Sequence, residues 1–165
     1  SFNTVKRLNN KNVKSYLHYS VEGLENEISY DNSLNEVLDS IRFVAASPYS
    51  VNIVDADTID IGNDRIRLNG ISADERGKPT YNSCKCEVSS IIRKSSEVIC
   101  YMSGEMTYNR EVGECFVENN GVQEDLNRLI VESGCARDCR RYSGGYYKKF
   151  ETKVSKQLDL PNYCR

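Results

Sequence analysis

From Ser50 onward the chain alternates. Val51 and Ile53, then Ile59 and Ile61, then Ile66 and Leu68 stand two apart, with polar residues between them. A period of two is that of a strand with one buried face. Gly62-Asn63, between the second and third runs, has the composition of a two-residue hairpin turn. Residues 76–82 read as a loop, after which Val88, Ile91 and Ile92 take helical spacing. Glu97–Met102 and Val112–Glu118 read as strands separated by a polar loop, with a turn following at Asn119-Asn120-Gly121. Val122, Leu126, Leu129 and Ile130 predict an amphipathic helix that stops near Gly134. Tyr147, Phe150 and Val154 predict a last helix. Short consecutive strands with few crossovers and helices set apart predict an α+β class, as an antiparallel sheet or a small barrel.

Residues 1–45 lack this alternation and are rich in Asn, Ser, Lys and Glu. Within them Asn32-Ser33 is placed to cap a helix carrying Leu34, Val37, Leu38 and Ile41. We expect an N-terminal appendage over 1–45, a packing segment or one that docks a protein partner, and a single domain over 46–165. No apolar run approaches the ~20 residues that cross a bilayer, so no membrane span is expected.

A formal net charge of −2 argues against a partner held by bulk charge alone and leaves room for a local basic groove. Seven cysteines change the picture more. That density suggests an oxidising compartment, hence a secreted or periplasmic protein with disulfides. The odd count leaves at least one thiol free or joined to another molecule. Cys84-Lys-Cys86 and Cys135-x3-Cys139 raise zinc as an alternative, but the spacings match no common zinc pattern. The single histidine, His18, lies far away in sequence. Cys100 and Cys115 fall on neighbouring predicted strands, where a bridge is geometrically allowed.

The stretch "IVDADTIDIGNDRIRLNGISADER", residues 53–76, holds charges of both signs among its apolar positions. Asp55 and Asp57, two apart, would share a strand face, as would Arg65 and Arg67 on the next strand. Carboxylates for a hard cation, Arg forks for phosphate oxygens and a Glu to activate water form a coherent set for phosphodiester hydrolysis. The plain alternative is a solvated hairpin with its charges turned outward.

The order of these residues resembles the staphylococcal nuclease (thermonuclease-like) family. That family has an Asp-Gly-Asp-Thr strand, then Arg-Leu before a turn ending in Asp-x-Pro-Glu. "YNREVGECFV", "VQEDLNRLIVESGCA" and "RRYSGGYYKKFE" resemble its later segments in the same order, so the resemblance covers about residues 48–156. It implies a five-stranded OB-type β-barrel with about three helices, and a calcium-dependent nuclease acting on single-stranded DNA or RNA. It also implies Asp57 as metal ligand, Arg67 as phosphate clamp and Glu75 as general base. Arg110 would stabilise charge on the phosphorus and leaving oxygen, and Tyr108 would contact the substrate nucleotide. Arg140 and Arg141, in a basic, Tyr-rich segment, are candidates for backbone contact.

The sequence departs from the family at several places. Ala56 stands where the family has Gly. Ser72 stands where it has a second metal-binding Asp, and Asp74 where it has Pro. Asn109 replaces a Gly before Arg110 and tolerates the left-handed region. Two accounts follow. In one, Asp74 replaces the missing carboxylate, making Asp57, Ser72 and Asp74 the metal-site candidates for calcium or another divalent cation. In the other, the site is weakened and the barrel serves as a nucleic-acid- or protein-binding module.

Overall fold

The computed structural model describes residues 42–165. The helix expected around residues 34–41 and His18 lie outside the described residues. Strand β1 (Phe43–Ala46) leads through a 3-10 turn at Pro48–Ser50 into β2 (Val51–Asp55), β3 (Thr58–Ile61) and β4 (Asp64–Leu68). The last three pair antiparallel in chain order, with Ile53 opposite Ile59 and Ile59 opposite Ile66. All three side chains are buried. A one-residue slip would turn them outward, so the apolar alternation itself sets the register. Gly62, at φ +60°, makes the turn between β3 and β4.

Two-residue strand β5 (Ile71–Ser72) precedes helix α1 (Tyr81–Arg93). Cys84, Val88 and Ile92 recur every four residues along α1 and are its buried face. The long hairpin β6 (Glu97–Thr107) and β7 (Arg110–Asn119) follows, then β8 (Val122–Asp125) and α2 (Leu126–Glu132). β9 (Arg137–Asp138) and α3 (Arg140–Ser143) precede 3-10 turns at Tyr146–Phe150, Ser155–Gln157 and Asn162–Cys164. The class is α+β. The main sheet runs β1-β6-β7-β4-β3-β2, with β8 also on β7, and β5 pairs with β9 in a separate ribbon. Among the described residues only β4 and β7 run parallel.

The two end strands of this path are consecutive in the chain. Six strands laid flat would set β1 and β2 about 24 Å apart at the usual inter-strand spacing. The link from Ala46 to Val51 reaches at most about 18 Å when fully extended, and it contains a 3-10 turn. The sheet therefore curls. Among the described residues no ladder joins β1 to β2.

Four sequence expectations shift. β1 begins at Phe43 and pairs with β6, so the end of the expected appendage belongs to the sheet. The polar loop expected after Met102 is instead paired hairpin as far as Thr107 opposite Arg110, with a register shift between Met102 and Met106. Both faces there are wet, which removes the alternation that marks a strand. Val122 belongs to β8, and α2 starts only after Asp125, whose Oδ1 accepts the Arg128 N–H at 3.1 Å as an N-cap. The last helix does not form as one element. Gly144 and Gly145 sit at φ +64° and +91°, which separates α3 from the turn at Tyr146–Phe150. Val154, expected on its apolar face, is exposed.

Six cysteines form three disulfides: Cys84–Cys135, Cys100–Cys115 and Cys139–Cys164. Cys100 and Cys115 are direct partners across β6 and β7. Cys86 is free and exposed. Among the described residues no helix is long and apolar enough to cross a membrane.

Candidate functional site

The charged stretch does not place Asp55 and Asp57 on one strand face, as its spacing predicts. β2 ends at Asp55 and β3 begins at Thr58, so Ala56-Asp57 forms the turn between them. The turn folds back on itself: the Asp57 N–H donates to Asp55 Oδ1 at 3.1 Å. Both carboxylates are buried. Ala56 supplies the position without a positive φ, so the change from Gly adds no left-handed strain there.

Arg67 reaches across from β4. Its Nη2 lies 3.0 Å from Asp57 Oδ2. Both terminal nitrogens also donate to backbone carbonyls: Nη1 to Asp57 (3.2 Å) and Leu68 (2.8 Å), Nη2 to Ile71 (2.8 Å). The guanidinium thus ties the β2–β3 turn to the segment entering β5. Asp57 Oδ2 also accepts the Ala73 N–H at 2.9 Å, and Thr58 Oγ1 donates to Asp57 Oδ1 at 3.1 Å. Arg110, at the start of β7, donates from Nη1 to Thr58 Oγ1 at 3.2 Å. Asp57, Thr58, Arg67 and Arg110 therefore form one connected network. Arg65, by contrast, pairs outward with Asp60 at 2.7 Å.

Burial pushes the Asp57 carboxyl up; Arg67 pulls it down, Asp55 pushes it up again, and the net value is about 7. Removal from water outweighs one guanidinium even at ion-pair distance. Near neutral pH the Asp57 carboxyl is therefore only partly ionised.

The other predicted residues take different places. Ser72 is buried in β5, directly before the Ala73 that binds Asp57, and pairs in register with Arg137 of β9. Asp74 turns away: its Oδ2 accepts both the N–H (3.3 Å) and the hydroxyl (2.8 Å) of Thr80, anchoring the start of α1. Glu75 is exposed, and its carbonyl accepts the Lys78 N–H at 3.0 Å. Tyr108 is 92% exposed at the tip of the β6–β7 hairpin, so it is not a core residue. Tyr108 and Asn109 both have positive φ (47° and 62°), the Asn as its side chain permits.

Arg140 and Arg141 are exposed on α3, Arg141 lying 5.9 Å from the Tyr142 ring centroid. α3 starts beside the β4–β5 turn, because the Cys139 N–H donates to the Gly70 carbonyl at 2.8 Å. Two other cations of that segment are engaged within the fold, Lys148 staying exposed as it pairs. Arg137 donates to the Leu158 carbonyl, and Lys148 pairs with Glu151. Thr58, the bridge between Asp57 and Arg110, and the Ala73 N–H escaped sequence reasoning. A hydroxyl next to Asp is a weak signal, and a backbone donor leaves none.

No protein-family model matches the chain. A curated relative is the succinoglycan biosynthesis protein ExoI of Rhizobium meliloti (strain 1021), 33% identical. The match covers 62% of this chain and 59% of that protein. The chain thus spans about three fifths of the length of the relative it matches.

Proposed function

We propose that the protein is a divalent-cation-dependent nuclease of the staphylococcal type, hydrolysing phosphodiester bonds of single-stranded DNA or RNA. In this reading the curled sheet is an OB-type barrel of five principal strands, and the protein works in a secreted or periplasmic setting, which the three disulfides favour. The observation that carries the proposal is the network joining Asp57, Thr58, Arg67 and Arg110. It gathers a carboxylate from the β2–β3 turn and two guanidinium groups from β4 and β7.

A cation fits the charge balance of the turn. Two buried carboxylates, Asp55 and Asp57, stand against one guanidinium at ion-pair distance. Asp57 would hold the ion, with Ser72 as a neutral oxygen donor. When bound, calcium would neutralise charge on the phosphate oxygens. Asp74 is a poor substitute ligand, because Thr80 engages its carboxylate. The affinity should be weak, needing about millimolar calcium, since ligand charge helps set it.

The chain's own residues supply the remaining roles. Arg110 would donate to the phosphoryl group where negative charge develops. Arg67 would exchange one carbonyl contact for a phosphate oxygen. Glu75, exposed after β5, would take a proton from water as the water oxygen bonds to phosphorus and the P–O bond to the leaving group breaks.

The test is cleavage of single-stranded DNA with calcium, with magnesium and with chelator. Calcium should stimulate and chelator abolish it. Glu75→Gln should lower the rate about 10²-fold or more. Full activity in Glu75→Gln would sink the assigned base.

A second reading has its own support. Ser72 stands where the resembled family has a carboxylate, and both terminal nitrogens of Arg67 are engaged inside the fold. Both suit a barrel that binds nucleic acid or protein without turnover. Calorimetry showing no calcium binding at millimolar concentration, with or without nucleotide, would favour it.

A further inference from the structure

A cleft of about 670 Å³ lies between β2 and α1. It belongs to a different face from the Asp57 network, since none of Asp57, Arg67 and Arg110 lines it. Its α1 wall carries Lys85, Ser89, Ser90 and Arg93, continued by Lys94, and Asn52 of β2 stands opposite. Lys85, Ser89 and Arg93 recur every four residues, so they stack along one helical face. At 1.5 Å per residue the two cations of that row sit about 12 Å apart along the axis.

Among the described residues no carboxylate lines the cleft. Asp60, which accepts from the Asn52 amide at 3.0 Å, is itself ion-paired with Arg65. Among the described residues neither Lys85, Arg93 nor Lys94 has an ion-pair partner. Lys85 lies 5.3 Å from the Tyr81 ring centroid. The α1 macrodipole favours cations near its C-terminal end, which accounts for Arg93 and Lys94. It does not account for Lys85, near the other end.

We propose that this cleft is a second polyanion subsite, which holds a stretch of single-stranded nucleic acid away from the Asp57 network. Cations spread over about 12 Å suit a chain of repeated charges better than one small anion. The Ser89 and Ser90 hydroxyls and the Asn52 amide stand between them as neutral donors to phosphate oxygens. The choice of a phosphodiester chain rests on the nuclease reading above; the existence of an anion subsite does not.

The free Cys86 lines the same cleft and provides the readout. The full chain is alkylated with iodoacetamide in the presence and absence of a short oligothymidylate, using chelator to prevent cleavage. Bound oligonucleotide should slow Cys86 alkylation several-fold. The variant Lys85→Gln/Arg93→Gln/Lys94→Gln should lose that protection. Its binding should also fall less steeply with salt, the slope of log K against log[salt] changing by about 2. All three positions are on the surface, and an unchanged thermal midpoint verifies folding.

Unaltered alkylation of wild type at saturating oligonucleotide overturns the proposal, even if hydrolysis is observed. Protection by an acidic polysaccharide at equal charge, and not by the oligonucleotide, overturns the assigned ligand. Protection with no hydrolysis under any cation supports the subsite and refutes only the nuclease reading.

Discussion

In the proposed nuclease, Ser72 is the residue on which cation binding would turn. It stands one position before the Ala73 N–H that holds Asp57. Its hydroxyl contributes an oxygen without charge. Ser72→Asp should raise calcium affinity about tenfold or more and increase the cleavage rate, because ligand charge helps set affinity at calcium sites. Calorimetry beside the nuclease assay reads both; a variant that binds calcium no better than wild type removes Ser72 from the site. Asp57, Arg67 and Arg110 were legible as candidates because their order along the chain carries the pattern. Their joining through Thr58 was not, because a threonine hydroxyl looks the same in any strand. Nor was the retreat of Asp74 to Thr80, since both residues suit a helix start as well as a metal turn.

Among the elements, the C-terminal segment combines apolar packing of Tyr147 and Leu158 with one buried carboxylate. Glu151 is buried, accepts the Asp138 N–H at 3.1 Å and pairs with Lys148 at 2.8 Å. Burial raises its pKa. The Lys148 hydrogen bond, the Asp138 N–H and the charges of Lys148 and Arg137 outweigh that, and the net shift is downward from 4.5. A carboxylate lowered on folding stabilises the fold fully above its unfolded value. The contribution vanishes as pH falls through the lowered folded value. Wild type should therefore lose stability faster than Glu151→Gln as pH drops below about 4.5, as read by urea unfolding across pH 2.5–6 on both proteins, roughly the carboxylate range. Parallel curves would assign no linkage to Glu151. The sequence pattern of Tyr147, Phe150 and Val154 pointed instead to one helix. Paired glycines and a buried carboxylate override helical spacing here, and periodicity cannot register either.

For the molecule as a whole, the strand order and the disulfides act together. The sheet was legible from Ile53, Ile59 and Ile66, whose alternation fixes both strand existence and register. Its curl was expected only as one of two alternatives and through the family resemblance, because it follows from β1 pairing with β6 rather than from any local pattern. Cys84–Cys135 joins α1 to the chain just beyond α2, with a sequence separation of 51. It closes the longest loop of the three bridges, with separations of 15 and 25 in the others. In the chain-entropy account it should contribute the most. Cys84→Ser/Cys135→Ser should lower unfolding free energy by roughly 2–4 kcal/mol, measured in guanidinium with the other bridges intact. A smaller loss than for Cys139→Ser/Cys164→Ser would contradict that ranking.

Cys100–Cys115 encloses the exposed β6–β7 tip, including Tyr108 and Arg110, within a covalent ring. Exposed tips are preferred points of protease attack. A cut between Tyr108 and Asn109 would add one water and release no fragment, since the bridge still spans the break. Gel mobility without reductant would hide the event. The nicked molecule would keep Arg110 tethered on one side only, so damage to the site and integrity of the chain would part company until the bridge is reduced.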